Sequence, residues 1–344
     1  MAMLGLAALF LAATYAVAED VPQQDVTLRS VALRPGVEAD IHVSVFVNPR
    51  PGCKGEALLA VPGVAHTAAT WGPFASAIFE SGSPGREVCQ VAAVDFPGHG
   101  ASSLPRGVRF CKLRIGDYVT VLDAVLERLP QLGMRPRTIV AHSQGGLVVQ
   151  LAQQSLLARG ASLRGKFQVE RVVLFASVGP AEIPWDFVES GRAAALVGRF
   201  VRADRERGPF VAFPDPAWPG VFFSDLSERV VPGAPAPPDV AGYNAPSPLT
   251  LSLEVAGFGP LRRPHVDAGV FGPGAGTTLR VVAYEQDTII RPDESLMLYE
   301  HLTGDAAGSG FDEVMGAEAV HDMHLLEPGR LLEYLGAAGI LELP

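Results

Sequence analysis

The stretch R-T-I-V-A-H-S-Q-G-G-L, residues 137–147, decides the fold because it reads as a buried strand that turns sharply into a helix. Residues 138–140 are β-branched, as expected of a strand covered on both faces, and paired glycines precede the next apolar run. Ser143 lies at the apex between the small residues Ala141 and Gly145. This layout is that of a nucleophile elbow, in which the serine oxygen projects from the backbone.

Two later segments supply the partners that a serine nucleophile needs. Residues 279–292, L-R-V-V-A-Y-E-Q-D-T-I-I-R-P, read as a strand followed by an acidic loop that carries Asp287. Residues 311–328 read as a last strand, a loop that carries His321, and a helix that begins near Glu327. A weak hydroxyl nucleophile requires a base, and the base requires an orienting acid. The sequence therefore predicts Ser143, His321 and Asp287 as nucleophile, base and acid.

Three nearby residues compete for these roles. His324 comes only three positions after His321, but its position relative to Glu327 disfavours it as the base. Asp322 adjoins the histidine in sequence, where its side chain is poorly placed to meet the ring. Asp293 reads as a capping-region acid at the start of a helix. Neither acid is therefore preferred to Asp287.

Together these motifs make the chain resemble the α/β-hydrolase family. The family's serine, acid and histidine positions are matched by Ser143, Asp287 and His321. V-A-A-V-D-F-P-G-H-G-A-S-S, residues 91–103, resembles the loop after the fourth strand, and L-L-A-V-P-G-V-A-H-T-A-A-T-W, residues 58–71, resembles the oxyanion loop after the third. The resemblance implies an α/β fold with a mostly parallel central sheet, helices on both faces and an inserted cap.

The resemblance also implies an oxyanion hole, for which the backbone N–H groups of Val64 and Gln144 are the candidates. Two departures from the family pattern bear on the site. The oxyanion loop reads Pro62-Gly63 where the family usually has His-Gly, so one bracing side chain is missing. Val320 precedes the histidine where glycine is common, which implies a different path for that loop.

Patterning divides the chain into core and insertion. Residues 26–33 and 37–47 alternate apolar and polar residues, as two antiparallel edge strands would. Buried strands then alternate with helical stretches to residue 176, which indicates a parallel sheet. We expect a signal peptide over 1–18, core over 19–180, a proline- and aromatic-rich cap over 181–274, and core again over 275–344.

Composition narrows the class and the compartment. The chain has 344 residues, 48% of them hydrophobic, and a formal net charge of −10, which argues against a nucleic-acid partner. The first 18 residues are apolar and end in Ala16-Val17-Ala18, so we expect cleavage after Ala18, a secreted or periplasmic protein, and no stable membrane insertion afterwards. Because the run lacks an early Lys or Arg, an uncleaved anchor or a misassigned start stays an alternative.

Export would permit disulfides, and the chain has three cysteines. In the fold that the resemblance implies, Cys53 and Cys89 precede neighbouring parallel strands, so a bridge between them that leaves Cys111 free is the favoured pairing. Three reduced thiols remain the alternative. No cysteine, histidine or aspartate group has metal-ligand spacing, and no glycine-rich phosphate loop is present, so we expect neither a metal nor another cofactor.

The function that the resemblance implies is hydrolysis of a carboxylic ester of an apolar small molecule through an acyl-enzyme. Hydrolysis of a lactone, amide or carbon–carbon bond by the same residues stays open, as does a non-catalytic ligand-binding protein. Candidate substrate contacts are His66 and the aromatic residues Trp185, Phe213 and Trp218. His142, directly before the nucleophile, should point away from the site. The sequence leaves the oligomeric state open.

Overall fold

The computed structural model describes residues 21–81, 88–213, 244–257, 261–304, 307–316 and 319–337. Its largest element is a sheet of eight strands. In chain order these are β1 (Gln23–Arg34), β2 (Val37–Val47), β3 (Glu56–Val61), β4 (Val88–Val94), β5 (Pro136–His142), β6 (Arg171–Phe175), β10 (Thr278–Tyr284) and β11 (Gly310–Val314).

The strand order across the sheet is β1-β2-β4-β3-β5-β6-β10-β11. Only the β1–β2 and β2–β4 pairs are antiparallel, and the other five pairs are parallel. The central strands are apolar and buried along nearly their whole length, whereas β1 alternates and is largely exposed at the edge. The predicted α/β-hydrolase sheet and its two antiparallel edge strands are therefore confirmed.

Helices cover both faces of this sheet. They are α1 (Gly72–Ser81), α2 (Ile115–Arg128), α3 (Gln144–Leu157), α4 (Leu163–Phe167), α8 (Pro292–Thr303), α9 (Met323–Leu326) and α10 (Pro328–Ala337). One packed group contains α2, α3 and β1, and another contains α1 and α10. Helix α2 buries Tyr118, Val121, Leu122 and Val125, which form one apolar stripe at helical spacing.

The chain between β6 and β10 forms a separate substructure, here called the insertion. Its described residues form α5 (Asp186–Glu189), α6 (Arg192–Phe200), β7 (Val201–Asp204), β8 (Gly208–Val211), β9 (Ser247–Pro248) and α7 (Leu249–Val255), and these strands pair antiparallel in the order β7-β8-β9. The chain contacts the core again before residue 274. Gln153 of α3 donates a hydrogen bond to the carbonyl oxygen of Val270, and His301 of α8 donates one to the carbonyl oxygen of Val266. Trp218 and the proline-rich stretch 232–238 lie outside the described residues.

As predicted, a disulfide joins Cys53 and Cys89, and Cys111 is free and buried. Cys53 precedes β3 and Cys89 lies at the beginning of β4, so the bridge is at the amino-terminal ends of the parallel strands. The predicted signal peptide lies outside the described residues. In the part of the chain that the structure describes, no helix combines the length and apolar character needed to cross a bilayer.

Candidate active site

Ser143 lies at the carboxyl end of β5, directly before α3, in a backbone conformation that side-chain-bearing residues rarely adopt, with φ 50° and ψ −123°. The following glycines let the helix pack closely. A Cβ on Gly145 would lie 2.5 Å from the carbonyl oxygen of Pro62, and one on Gly146 would lie 2.0 Å from Oγ of Ser177. The glycines therefore allow the strained turn that exposes the serine hydroxyl.

The three predicted partners come together at the carboxyl edge of the sheet. Nε2 of His321 lies 3.0 Å from Oγ of Ser143, and Nδ1 lies 2.8 Å from Oδ2 of Asp287. Asp287 is fixed in turn because its Oδ1 accepts hydrogen bonds from the backbone N–H groups of Ile289 and Ile290, at 2.8 and 2.9 Å. A carboxylate only accepts, so Nδ1 carries the proton and Nε2 is free to accept the serine proton.

The competing residues have other partners. His324 packs its ring on Trp71, with 4.7 Å between centroids, and has no hydrogen bond within the described residues. Asp293 is exposed and pairs with Arg291 at the start of α8. Asp322 points at His66, not at His321. The sequence-based preference for His321 and Asp287 thus agrees with the geometry.

The electrostatics around His321 favour its protonated form. Burial acts to lower the pKa of the imidazole, but the charge and hydrogen bond of Asp287, with the nearby charge of Asp322, outweigh burial and raise that pKa above its ordinary value. A raised pKa makes the imidazole a better acceptor for the serine proton.

Both candidate oxyanion donors adjoin the nucleophile. Val64, Ser143 and Gln144 line one cavity together with His321. Within the described residues, the backbone N–H groups of Val64 and Gln144 have no hydrogen-bond partner. Gly63 allows the close approach of this loop, because a Cβ there would lie 2.9 Å from Nδ1 of His142 and 3.0 Å from Cβ of Ser143.

An apolar pocket opens in front of Ser143, and the insertion supplies most of its walls. Its volume is about 80 Å³. Trp185, Phe187, Ala193, Val197, Val211 and Phe213 are among the lining residues, and Ser252 is the polar residue that the insertion adds. Nε1 of Trp185 donates to the carbonyl of Ile289, 2.6 Å away, which ties the wall to the loop of Asp287. Of the predicted substrate contacts, Trp185 and Phe213 line the pocket.

His66, the remaining predicted contact, does not line this pocket in the part of the chain described. It belongs to a group of four buried side chains, His66, His142, Asp322 and His324, here called the polar cluster. Nε2 of His66 lies 3.2 Å from both carboxylate oxygens of Asp322, and Nε2 of His142 lies 3.3 Å from Oδ1 of Asp322 and 2.9 Å from the carbonyl oxygen of His321. The ring of His142 does not line the described pocket, but it packs beside that of His321, with 4.7 Å between centroids, and contacts the backbone there.

Sequence reasoning missed the role of Asp322. The nitrogen and carboxylate atoms of His66, His142 and Asp322 lie within 4.8 Å of one another, although the residues come from three distant segments. The motif H-D-M-H at 321–324 signals an unusual number of polar groups for a buried loop. That signal alone does not specify which way the Asp322 side chain points.

Comparison with known proteins agrees with the fold. Residues 58–333 match the model of a family described as the alpha/beta hydrolase family. A comparison with curated proteins found no match. Because the family match spans most of its length, the chain belongs to the alpha/beta hydrolase family.

Solved structures of several hydrolases are similar to this chain. A carboxylesterase from Bacillus subtilis superposes with a TM-score of 0.56 at 16% identity, over 92% of this chain and 93% of its own. A thermophilic esterase from Thermogutta terrifontis gives 0.50 at 16%, over 92% and 97%. A monoacylglycerol lipase from Paleococcus ferrophilus gives 0.50 at 17%, over 88% and 99%. At these identities the likeness shows the fold.

Proposed function

We propose that this protein is a serine hydrolase that cleaves carboxylic esters of apolar small molecules through an acyl-enzyme. The observation that carries the proposal is the continuous hydrogen-bonded series from Ser143 to His321 to Asp287, with contacts of 3.0 and 2.8 Å, at the mouth of an apolar pocket. The chemistry is that of nucleophile, general base and orienting acid.

In the first half-reaction, Oγ of Ser143 attacks the ester carbonyl carbon while its proton passes to Nε2 of His321. The tetrahedral intermediate carries its negative charge on the former carbonyl oxygen, where the N–H groups of Val64 and Gln144 donate hydrogen bonds. The carbon–oxygen bond to the alcohol then breaks, and His321 returns its proton to the leaving oxygen. Asp287 stabilises the transient imidazolium and holds its tautomer.

In the second half-reaction, water attacks the acyl-enzyme and gives a proton to His321, and the acid leaves as the proton returns to Oγ of Ser143. The serine nucleophile disfavours epoxide and haloalkane hydrolysis, which use an aspartate nucleophile in this fold. The cleaved bond is thus one to an acyl carbon.

The pocket suggests a short apolar acyl or alcohol group. A group the size of a water molecule needs about 10–15 Å³ of cavity volume. The cavity of about 80 Å³ therefore admits about five to eight groups of this size. Each matched methylene contributes about 1 kcal/mol to specificity until the pocket is full. We therefore propose that the insertion acts as a cap that selects short apolar chains.

The test is a chain-length series of p-nitrophenyl esters from acetate to palmitate, assayed with the wild-type protein and with Ser143→Ala. We expect kcat/KM to rise to a maximum between butyrate and octanoate and then to fall. Ser143→Ala should be folded and inactive. A flat profile would contradict the role of the insertion in specificity.

Parallel assays separate the alternative functions. Lactones and anilides of matched chain length test for ring-opening and amide hydrolysis. A wild-type protein that binds these compounds, shows no turnover and does not react with a fluorophosphonate at Ser143 would be a ligand-binding protein, and the proposal would fail.

We also propose that the protein works in an oxidising compartment, which the disulfide between Cys53 and Cys89 supports because such bonds persist there. Intact-mass measurement after alkylation of the exported protein should show at most one labelled thiol before reduction and three afterwards. Three labelled thiols before reduction would remove this support.

A further inference from the structure

The hydrogen bonds of His66 restrict its charge state. Nδ1 lies 2.6 Å from the carbonyl oxygen of Val64, and a carbonyl only accepts, so Nδ1 carries a proton. Nε2 lies 3.2 Å from both oxygens of Asp322, and an ionised carboxylate also only accepts. With Asp322 ionised, both ring nitrogens must therefore donate, which makes the ring an imidazolium.

The surroundings of Asp322 favour its ionised form. Its side chain is fully buried, and its Oδ1 lies 3.3 Å from Nε2 of His142, which carries a proton because it also faces the carbonyl oxygen of His321 at 2.9 Å. Oδ1 therefore acts as an acceptor, and both oxygens lie 3.2 Å from Nε2 of His66. Burial raises the pKa of the carboxyl, but the facing rings outweigh burial and lower it. His142 presents Nε2–H to Asp322 and to the carbonyl oxygen of His321, so this ring is satisfied as a neutral donor. Burial first, and then His324, lowers the pKa of His142 far below its usual range.

This arrangement ties together the backbone segments that form the reaction centre. His66 holds the carbonyl of Val64 in the oxyanion loop, which passes through Ala65 at a positive φ of 59°. Asp322 directly follows His321, and His142 directly precedes Ser143. A strained loop keeps its conformation only when its surroundings hold it.

We propose that His66 and Asp322 form a buried imidazolium–carboxylate pair that positions the oxyanion loop against Ser143 and His321. The positioning role rests on the proposed function, whereas the existence of the pair does not. His66 and Asp322 are positioning residues, because neither lines the described pocket.

Other titratable groups also face His66. The ring of His142 lies 5.4 Å away and that of His324 lies 6.5 Å away, centroid to centroid. His99, in the loop after β4, is coupled to His66 electrostatically, and burial lowers its pKa to about 4. These three rings are neutral near pH 7, and within the described chain His66 contacts the carboxylate of Asp322.

The direct test is NMR of protein labelled with ¹⁵N-histidine, with His66→Gln used to assign the His66 signals. Because an imidazolium has two protonated ring nitrogens, its two ¹⁵N shifts lie close together, whereas those of a neutral ring are widely separated. We expect the imidazolium pattern in the wild type and the neutral pattern in Asp322→Asn, with both proteins measured at pH 7.5. A neutral His66 in the wild type would overturn the pair.

The kinetic test uses opposite charge changes. Asp322→Asn removes the negative charge that helps raise the pKa of His321, so the acid limb of kcat/KM should move to lower pH by about half a unit or more. His66→Gln leaves Asp322 unopposed and should move the limb to higher pH. If His66 were neutral, His66→Gln would leave the limb where it is, and the proposal would fail.

The positioning role predicts a particular split of the kinetic constants. Because oxyanion donors act in the transition state, Asp322→Asn should lower kcat about 10- to 100-fold with KM within about threefold. Asp312→Asn is the matched control, since Asp312 pairs with Arg280 elsewhere in the sheet, and it should change neither constant. An unchanged kcat in a folded Asp322→Asn protein would remove the positioning role. If Asp322→Asn does not fold, His66→Gln carries both readouts.

Metal analysis of the purified protein provides a further check. The ion pair would be overturned by a stoichiometric divalent ion whose removal with a chelator changes the His66 signals. In that case Nε2 of His66 would bind a metal ion and could not carry a proton. A wild type that hydrolyses no ester would remove the proposed function and the positioning role together, while the NMR measurement would still decide the pair.

Discussion

The two sides of Ser143 and His321 differ in both chemistry and origin. The polar cluster consists of four buried groups of the core on loops, a strand end and the short helix α9, and both His66 and His142 contact Asp322. The apolar pocket on the other side is lined mainly by side chains of the insertion, with few polar atoms. Under the proposed function, the core holds the reacting groups in place, and the insertion presents the surface that a substrate contacts.

This difference predicts how each side responds to substitution. A buried polar network loses more than one interaction when one member changes, because the partners are left without hydrogen bonds. An apolar wall changes its shape gradually, and its effect is a change in which substrates fit. Substitutions near the polar side should alter the rate with all substrates, and those in the pocket should alter relative rates.

The largest effect is expected for Asp287→Asn. An asparagine amide favours the His321 tautomer in which Nδ1 lacks the proton and Nε2 carries it. That tautomer cannot accept the serine proton, so kcat should fall by about 10⁴-fold with every ester. The measurement is kcat for butyrate and octanoate esters. Asp293→Asn, which changes the exposed carboxylate at the start of α8, is the control and should keep full activity. A loss that depends on chain length would break the proposed division between the two sides.

The second effect compares two helical glycines. Gly146 of α3 packs against Ser177, and a Cβ would lie 2.0 Å from its Oγ, so Gly146→Ala should destabilise the protein by about 2–3 kcal/mol. A Cβ on Gly198 of α6 in the insertion would meet no other described group within 4 Å, so Gly198→Ala should stabilise the protein by about 0.5–1 kcal/mol through helix propensity. Urea unfolding measures both. Equal effects would show that the core and the insertion tolerate added volume alike.

How much of this site the sequence predicts depends on how local the signal is. Ser143, Asp287 and His321 each follow an apolar strand, so their meeting at one sheet edge could be predicted from strand patterns and the family resemblance. The role of Asp322 could not, because it depends on contact with His66, 256 residues away in the chain. The short helix α9, which follows Asp322 directly, could not be predicted for a different reason, because four residues carry little periodicity.

The insertion shows a similar limit. Its aromatic content predicted a pocket wall, and Trp185 and Phe213 do line the pocket. Neither the hydrogen bond from Trp185 to the backbone of Ile289 nor the contact of Val270 with the core could be predicted from the sequence. Both depend on packing between distant segments, which local patterns do not encode.

The third effect concerns the pocket. Ala193 of α6 is buried and lines the cavity, so Ala193→Phe should fill part of it and lower kcat/KM for the octanoate ester about 10- to 100-fold while the acetate ester keeps its rate. Ala194→Phe, on the exposed face of the same helix, is the matched control and should leave the profile unchanged. A uniform loss across all esters would place Ala193 among the residues that support catalysis.

The smallest effect is expected at His324, the member of the polar cluster without a hydrogen-bond partner among the described residues. Its ring packs 4.7 Å from that of Trp71 and 4.4 Å from that of His142, so a leucine of similar size can occupy the site without an unsatisfied nitrogen. His324→Leu should therefore raise the free energy of unfolding by about 1 kcal/mol at pH 7.5. Denaturant unfolding measures this change.

The same variant should also alter the pH dependence of stability. Burial, with the neighbouring His66 and His321, holds the pKa of His324 well below its ordinary value of about 6.5, so below that pH the unfolded chain binds a proton that the folded protein does not. The contribution of His324 to the free energy of unfolding is therefore constant above about pH 6.5 and becomes more unfavourable as the pH drops. His324→Leu should flatten this dependence of stability on pH. His265, exposed beside Glu182 and Asp267, has its pKa raised, so its contribution has the opposite sign and His265→Leu should not flatten the slope. A steeper slope in His324→Leu would mean that the folded protein holds His324 as a cation, and the polar cluster would then carry a second buried charge.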